Sequence, residues 1–115
     1  MPGNFIDEAL QRFESIGRAL DSWQKTSAEN SLHVMQSEYR ALGSSGERYG
    51  LAAEELVGFA KANESMLSFV NVDPARVTPT VDSLMQESVT VLPQLLNQLP
   101  TSRQAAKRDL SLIHI

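Results

Sequence analysis

The sequence predicts an all-α fold: three to four amphipathic helices packed as an antiparallel bundle or a long coiled-coil-like hairpin. Three observations carry this. Apolar residues recur at alternating steps of three and four along most of the chain, the period of a helix face. Residues with capping and turn chemistry cut that pattern into segments of helical length. Aromatics make up only 6% of the 115 residues. The apolar set is mostly Leu, Val and Ala, so the core is built from aliphatic stripes.

The first helix is expected to start at Asn4 as N-cap, with Asp7 and Glu8 in the positively polarised first turn. Ile6, Ala9, Phe13, Ile16, Leu20 and Trp23 then form one seam. Glu8–Arg12, Glu14–Arg18 and Asp21–Lys25 each place an acid four residues before a base, the favoured order for intrahelical pairing, worth ~0.2–0.5 kcal/mol per pair. Thr26-Ser27-Ala28-Glu29 has capping-box spacing, so either a second helix starts there or the first runs straight on. Leu32, Met35, Tyr39 and Leu42 continue the 3-4-3 pattern. Gly43-Ser44-Ser45-Gly46 reads as the clearest breaker, with Gly43 suited to a C′ position and Ser44 with Glu47 as a second capping box.

The third helix is expected to carry Tyr49, Ala52, Leu56, Phe59, Asn63, Met66 and Val70 on its seam. Gly46, Gly50, Gly58 and the nearby alanines permit close helix approach or simply weaken the helix by ~1 kcal/mol per glycine. Gly46-x-x-x-Gly50 has the spacing of a membrane dimerisation motif, but Arg48, Glu54 and Glu55 beside it rule out a lipid setting. Asn71-Val72-Asp73-Pro74 ends this helix. Asp73-Pro74 and Thr78-Pro79 can each open the fourth, which runs through Val81, Leu84, Ser88, Val91, Leu95 and Leu99, with a kink expected at Pro93.

The formal charge of −4 argues against nucleic acid as a partner, because phosphate binding needs clustered Lys and Arg. Residues 1–99 hold 13 acids and 7 bases; Arg103, Lys107 and Arg108 then form a short basic stretch, read as a solvated helix end. No cysteine is present, so disulfides and thiolate metal sites are excluded. The N-terminus has no signal-peptide pattern, although Met1 could equally be an internal methionine. No apolar run approaches the ~20 residues that span a bilayer. The cytoplasm is therefore the default compartment.

Leu110-Ser111-Leu112-Ile113-His114-Ile115 corresponds to one translated frame of a transposon-end adapter used in DNA library preparation. On that reading residues 110–115 are not native. Residues 1–109 then form one helical domain from environmental sequencing, and the natural chain continues past Asp109.

Reactive groups are sparse. His33 is the only histidine before that tail, and it is expected at a helix surface. No Gly-x-Ser-x-Gly elbow, phosphate-binding loop, dinucleotide fingerprint or EF-hand spacing occurs. No second His is available for zinc. Glu54-Glu55 is expected as a solvated helix face. Asn63 on a seam would either fix register or lie solvated at the bundle edge. No catalytic, cofactor-binding or metal-binding residue is assigned.

Two families share local features. Small acidic helical proteins of type VII secretion resemble the chain in size and hairpin character. Their Trp-x-Gly turn is absent, since Gln24 and Lys25 follow Trp23, and their Tyr-x-x-x-acid signal is absent at Tyr49, which has Ala53 four residues on. The segments Gln36-Ser37-Glu38-Tyr39-Arg40-Ala41-Leu42 and Tyr49-Gly50-Leu51-Ala52-Ala53-Glu54-Glu55-Leu56 look like the helical tails of mammalian-cell-entry (MCE) lipid-transport proteins. That likeness covers residues 36–67, without the β-rich domain of those proteins.

These readings lead to a non-catalytic interaction or structural module acting by helix–helix association, with itself or another helical protein as partner. The interaction seam is Ile6, Phe13, Ile16, Leu20, Trp23, Leu56, Phe59, Leu92 and Leu96. The last helix is expected to leave apolar surface bare, because Leu84, Val89, Val91, Leu92, Leu95, Leu96 and Leu99 fall on more than one face, and Leu92 and Leu96 are the residues expected to carry the association. A secreted or cell-envelope helical protein and the helical piece of a larger enzyme are the alternatives.

Overall fold

A computed structural model describes residues 2–99, with side-chain surroundings from Phe5 onward. Four helices follow one another: α1 (Pro2–Thr26), α2 (Glu29–Tyr49), α3 (Glu54–Val72) and α4 (Pro79–Gln98). Short 3₁₀ turns at Leu51–Ala53 and Pro74–Arg76 precede α3 and α4. Among the described residues there is no strand. Consecutive helices run antiparallel. α1 packs on α2 and α4, and α3 packs on α2 and, more sparsely, on α4. The bundle is 53 Å long and 22 by 20 Å across. The all-α expectation holds, and the arrangement is the four-helix bundle. The basic stretch from Arg103 and the segment Leu110–Ile115 lie outside the described residues.

α1 begins at Pro2, earlier than the Asn4 cap predicts. Proline fits the first helical position because its φ is preset and its missing N–H is not needed there. The seam of α1 faces inward: Ala9, Ile16 and Leu20 are buried, together with Phe5 and Ala19. Ile6, Phe13 and Trp23 pack against that core while half-buried. Glu8–Arg12 and Asp21–Lys25 pair at 3.5 and 3.0 Å. Glu14 and Arg18, both described, do not close into the third expected ion pair. Arg12 also donates across the α1–α2 boundary to Glu38, at 3.3 and 3.4 Å.

The break after α1 is real, but the capping box is not its means. Thr26 ends α1 and donates its hydroxyl to the Ser22 carbonyl at 2.8 Å. Ser27 turns the chain in the left-handed region, φ 52°, while its N–H still reaches the Trp23 carbonyl at 2.8 Å. α2 then starts at Glu29 behind Ala28, which makes no side-chain cap bond.

The largest correction concerns Gly43–Gly46. These residues do not break the chain; α2 passes through them to Tyr49. Gly43, Ser45 and Gly46 are buried, while Ser44 is exposed, and the two glycines lie against α3. A Cβ at Gly43 would stand 3.7 Å from Ala60 Cβ. A Cβ at Gly46 would stand 2.7 Å from Val57 Cγ2. The glycines are therefore needed for close approach of two helices. The turn falls at Gly50, whose φ of 112° suits a residue without Cβ. Tyr49 accordingly belongs to α2, where its ring stacks on Phe5 at 4.7 Å.

The seam of α3 is Leu56, Ala60, Asn63, Leu67 and Val70, all buried, and Ala53 at the end of the preceding 3₁₀ turn extends it. The expected stripe overlaps it at Leu56, Asn63 and Val70. Ala52 is exposed, while Phe59 and Met66 are only half-buried on the shoulder. Small alanines occupy the positions facing the glycines of α2, which displaces the larger side chains sideways. Asn63 is buried at 6% exposure, and its amide donates to the Phe59 carbonyl of its own helix at 3.0 Å. Its polar group is thus satisfied within α3 and reaches no neighbouring helix.

Both proline signals after α3 are used. Asp73 accepts from the Ala75 N–H at 3.0 Å and caps the 3₁₀ turn that opens with Pro74. Thr78 accepts from the Val81 N–H at 3.3 Å and caps α4, with Pro79 in its first turn. α4 continues through Pro93 to Gln98, and the missing proline N–H leaves the Val89 carbonyl without its helical donor.

Candidate functional site

α4 is the element that decides the candidate surface. Two apolar stripes run along it, one residue out of register. The first is Val81, Leu84, Ser88, Val91 and Leu95. The second is Met85, Val89, Leu92, Leu96 and Leu99. The bundle buries the second: Met85, Leu92, Leu96 and Leu99 lie in the core. The first stripe is turned to the shoulder, where Leu84 is 45% and Val91 38% exposed. This corrects the expectation that Leu92 and Leu96 are bare; Leu92 is fully buried. Ser88 was the available signal, because it interrupts the first stripe and nothing interrupts the second.

The remaining seam residues also point into this chain. Ile16, Leu20 and Leu56 are fully or nearly buried, and Ile6, Phe13, Trp23 and Phe59 pack against the same core. Phe59 meets Tyr39 edge-on with ring centroids 6.0 Å apart.

The polar contacts between helices are unevenly placed. Arg12–Glu38 ties α1 to α2. Between α2 and α3, Arg40 donates to Glu64 through both Nε and Nη2, at 3.0 and 2.7 Å, and Gln36 reaches the same oxygen at 3.4 Å. Asn71 donates to Gln36 at 2.7 Å and to the Leu32 carbonyl at 3.2 Å. Lys61 pairs with Glu47. The Arg40 and Gln36 hydrogen bonds hold the Glu64 carboxyl below its ordinary pKa. Among the described residues, no hydrogen bond or ion pair joins α4 to another helix. Its side-chain bonds, Gln86 to Asp82 and Thr90 to the Gln86 carbonyl, are internal. α4 carries Asp82 and Glu87 and no Lys or Arg. Among those residues, apolar packing alone holds it.

A second region lies beside the connection to α4. Phe69 and Val72, on the last turn of α3, are 55% and 74% exposed. Arg76 covers one face of the Phe69 ring, with its guanidinium 4.5 Å from the centroid, and donates to the Phe69 carbonyl at 3.1 Å.

A cleft of 320 Å³ between α2 and α3 is lined by Tyr39, Arg40, Glu47, Lys61 and Glu64. Its two cations are paired with its two acids, so it presents no unbalanced charge. Burial raises the Tyr39 phenol above its ordinary pKa. His33 and the Glu54-Glu55 pair are exposed. Among the described residues, no three His, Asp or Glu side chains converge on a metal position. Nor is any described helix long and apolar enough to cross a membrane.

No family model, curated protein or solved structure matches the chain.

Proposed function

We propose that the chain is a non-catalytic helical module that works by helix–helix association, and that α4 is the helix through which it associates. The observation that carries this reading is the exposed stripe of Leu84 and Val91, flanked by half-buried Val81 and Leu95. These side chains recur at helical spacing on one shoulder, which gives another apolar helix face a surface to complete. The weak polar anchoring of α4 supports the same reading, since association that shifts this helix breaks no ion pair among the described residues.

Sedimentation velocity over a wide concentration range tests the proposal. The wild-type chain should form dimers or larger species as concentration rises. Leu84→Glu with Val91→Glu should return it to monomer while leaving helicity unchanged. A wild-type chain that stays monomeric throughout would remove the basis for self-association.

A further inference from the structure

We propose that the exposed face of α4 is a docking surface for an amphipathic helix of a partner protein whose apolar stripe is flanked by Lys and Arg. The proposal rests on the association reading above and names the chemistry of the partner.

The face extends beyond Leu84 and Val91. Leu95 continues their stripe by one turn, and it also lines a cleft of 500 Å³ between α4 and the start of α3. Buried Leu56 and Leu99 line the same cleft, as does Leu51, which is 88% exposed. From Leu84 to Gln98 the surface runs ~21 Å, about four turns of helix. A second helix laid along it covers the bare apolar side chains and completes the packing.

The charges around this face are all of one sign. Glu87 lies one turn from both Leu84 and Val91, and with Val91 it lines a shallow depression. Glu54 and Glu55 line the cleft at the other end. All three acids are exposed, and none of them is in an ion pair among the described residues. No Lys or Arg lines either hollow, and α4 carries none. Glu54 and Glu55 also suit the positively polarised first turn of α3. Glu87 stands in mid-helix, where that account does not apply.

This pattern selects among occupants. Each of the four described helices carries more acids than bases, so a helix of a second copy sets acid against acid. Anionic lipid headgroups meet the same repulsion. A helix with bases beside an apolar stripe gains in both respects: it covers Leu84 and Val91, and it sets cations against Glu87, Glu54 and Glu55. Charges at such a rim select and steer the partner, while the apolar contact holds it.

The probe is a helical peptide of about 15 residues, matched to the length of the face, with Leu on one stripe and Lys flanking it. A second peptide carries Glu in place of every Lys. Binding of each to the full chain is measured by fluorescence anisotropy at low and raised salt. The lysine peptide should bind, and less tightly as salt rises. The glutamate peptide should bind about tenfold more weakly, because like charges replace the attractive pairs. Glu87→Gln with Glu55→Gln should weaken the lysine peptide alone. Leu84→Ser with Val91→Ser should abolish binding with helicity unchanged. Leu10→Ser with Glu14→Gln, exposed positions on α1, should change nothing. If the α1 changes weaken binding as much as those on α4, the attraction is general to an acidic protein and the proposal falls. Equal binding of the two peptides overturns the basic partner and leaves association through α4 standing. Binding of neither overturns the proposal, and the association reading falls with it only if the chain also stays monomeric. Tighter binding after Arg103→Gln, Lys107→Gln and Arg108→Gln together would assign the face to this chain's own basic stretch and overturn a separate partner.

Discussion

Gly46 offers the sharpest test of how the bundle is assembled. Replacing a helical glycine with alanine normally gains about 1 kcal/mol, because the unfolded chain loses freedom and the helix does not. At Gly46 the added Cβ would stand 2.7 Å from Val57 Cγ2, whereas ordinary contact begins at 3.4 Å. Val57 must therefore retreat or α2 and α3 must separate. A valine in a helix is held near one rotamer, so it cannot swing aside freely. Overpacking of this kind costs ~1–3 kcal/mol, which cancels or reverses the helical gain. Gly58 is the control, since a Cβ there meets nothing within 4 Å. Gly43 is intermediate, with Ala60 Cβ at 3.7 Å in ordinary contact. Urea unfolding should show Gly58→Ala stabilised by up to ~1 kcal/mol and Gly43→Ala neutral or stabilised. Gly46→Ala should fall ~1–3 kcal/mol below Gly58→Ala. Adding Val57→Ala should cost less in the Gly46→Ala background than in wild type, the sign of a shared clash. If Gly46→Ala proves as stabilising as Gly58→Ala, the spacing of α2 and α3 does not depend on the missing side chain.

Other outcomes follow from the same contacts. Ile16→Ala and Leu67→Ala, both at fully buried positions, should each lose ~2–5 kcal/mol; Phe13→Ala should lose less because Phe13 is half-buried. Leu92→Glu should unfold the chain, whereas Leu84→Glu should not; equal loss of helicity in the two variants would contradict the assignment of the buried stripe. Trp23 emission should fall between buried and solvated limits, with partial quenching by acrylamide, and a fully shielded Trp23 would show a different packing at that end. Glu64 binds its proton less readily folded than unfolded, owing to Arg40 and then Gln36, so it stabilises the fold above its ordinary pKa of 4.5. That contribution fades as pH falls through the lowered folded value, so Glu64→Gln should flatten the acid side of the urea midpoint against pH, and an unchanged slope would deny the coupling.

The class of fold was legible because helical periodicity and end signals agreed along the chain. Leu32, Met35, Tyr39 and Leu42 show the best case: one clean stripe and four buried residues. Thr78-Pro79 and Asp73-Pro74 were legible for a different reason, as each dipeptide combines a side-chain acceptor with a preset φ. The misreadings share a cause. Glycine at 43 and 46 carries the same signature whether it ends a helix or admits a neighbour, and only the position of Val57 and Ala60 distinguishes the two. In α3 the larger Phe59 and Met66 suggested the seam, while Ala60 and Leu67 form it. The close approach of α2 demands small residues at the centre and pushes large ones aside.

α4 shows why the candidate surface was harder to read than the fold. A helix with one apolar stripe has one way to face a core. α4 has two adjacent stripes, and periodicity alone cannot rank them. Burial selects the uninterrupted one, Met85 to Leu99, and so determines what stays outside: Leu84 and Val91, with half-buried Ser88 between them. The residues left for association are thus defined by subtraction. The chain's net charge of −4 adds little to this surface, because α4 carries only Asp82 and Glu87 and no base to pair with a second α4. Face-to-face pairing of two α4 helices therefore brings like charges together without compensation. Salt should therefore strengthen pairing through this face by screening Asp82 and Glu87, and a dimer fraction that falls as salt rises would show that the contact is not made through α4.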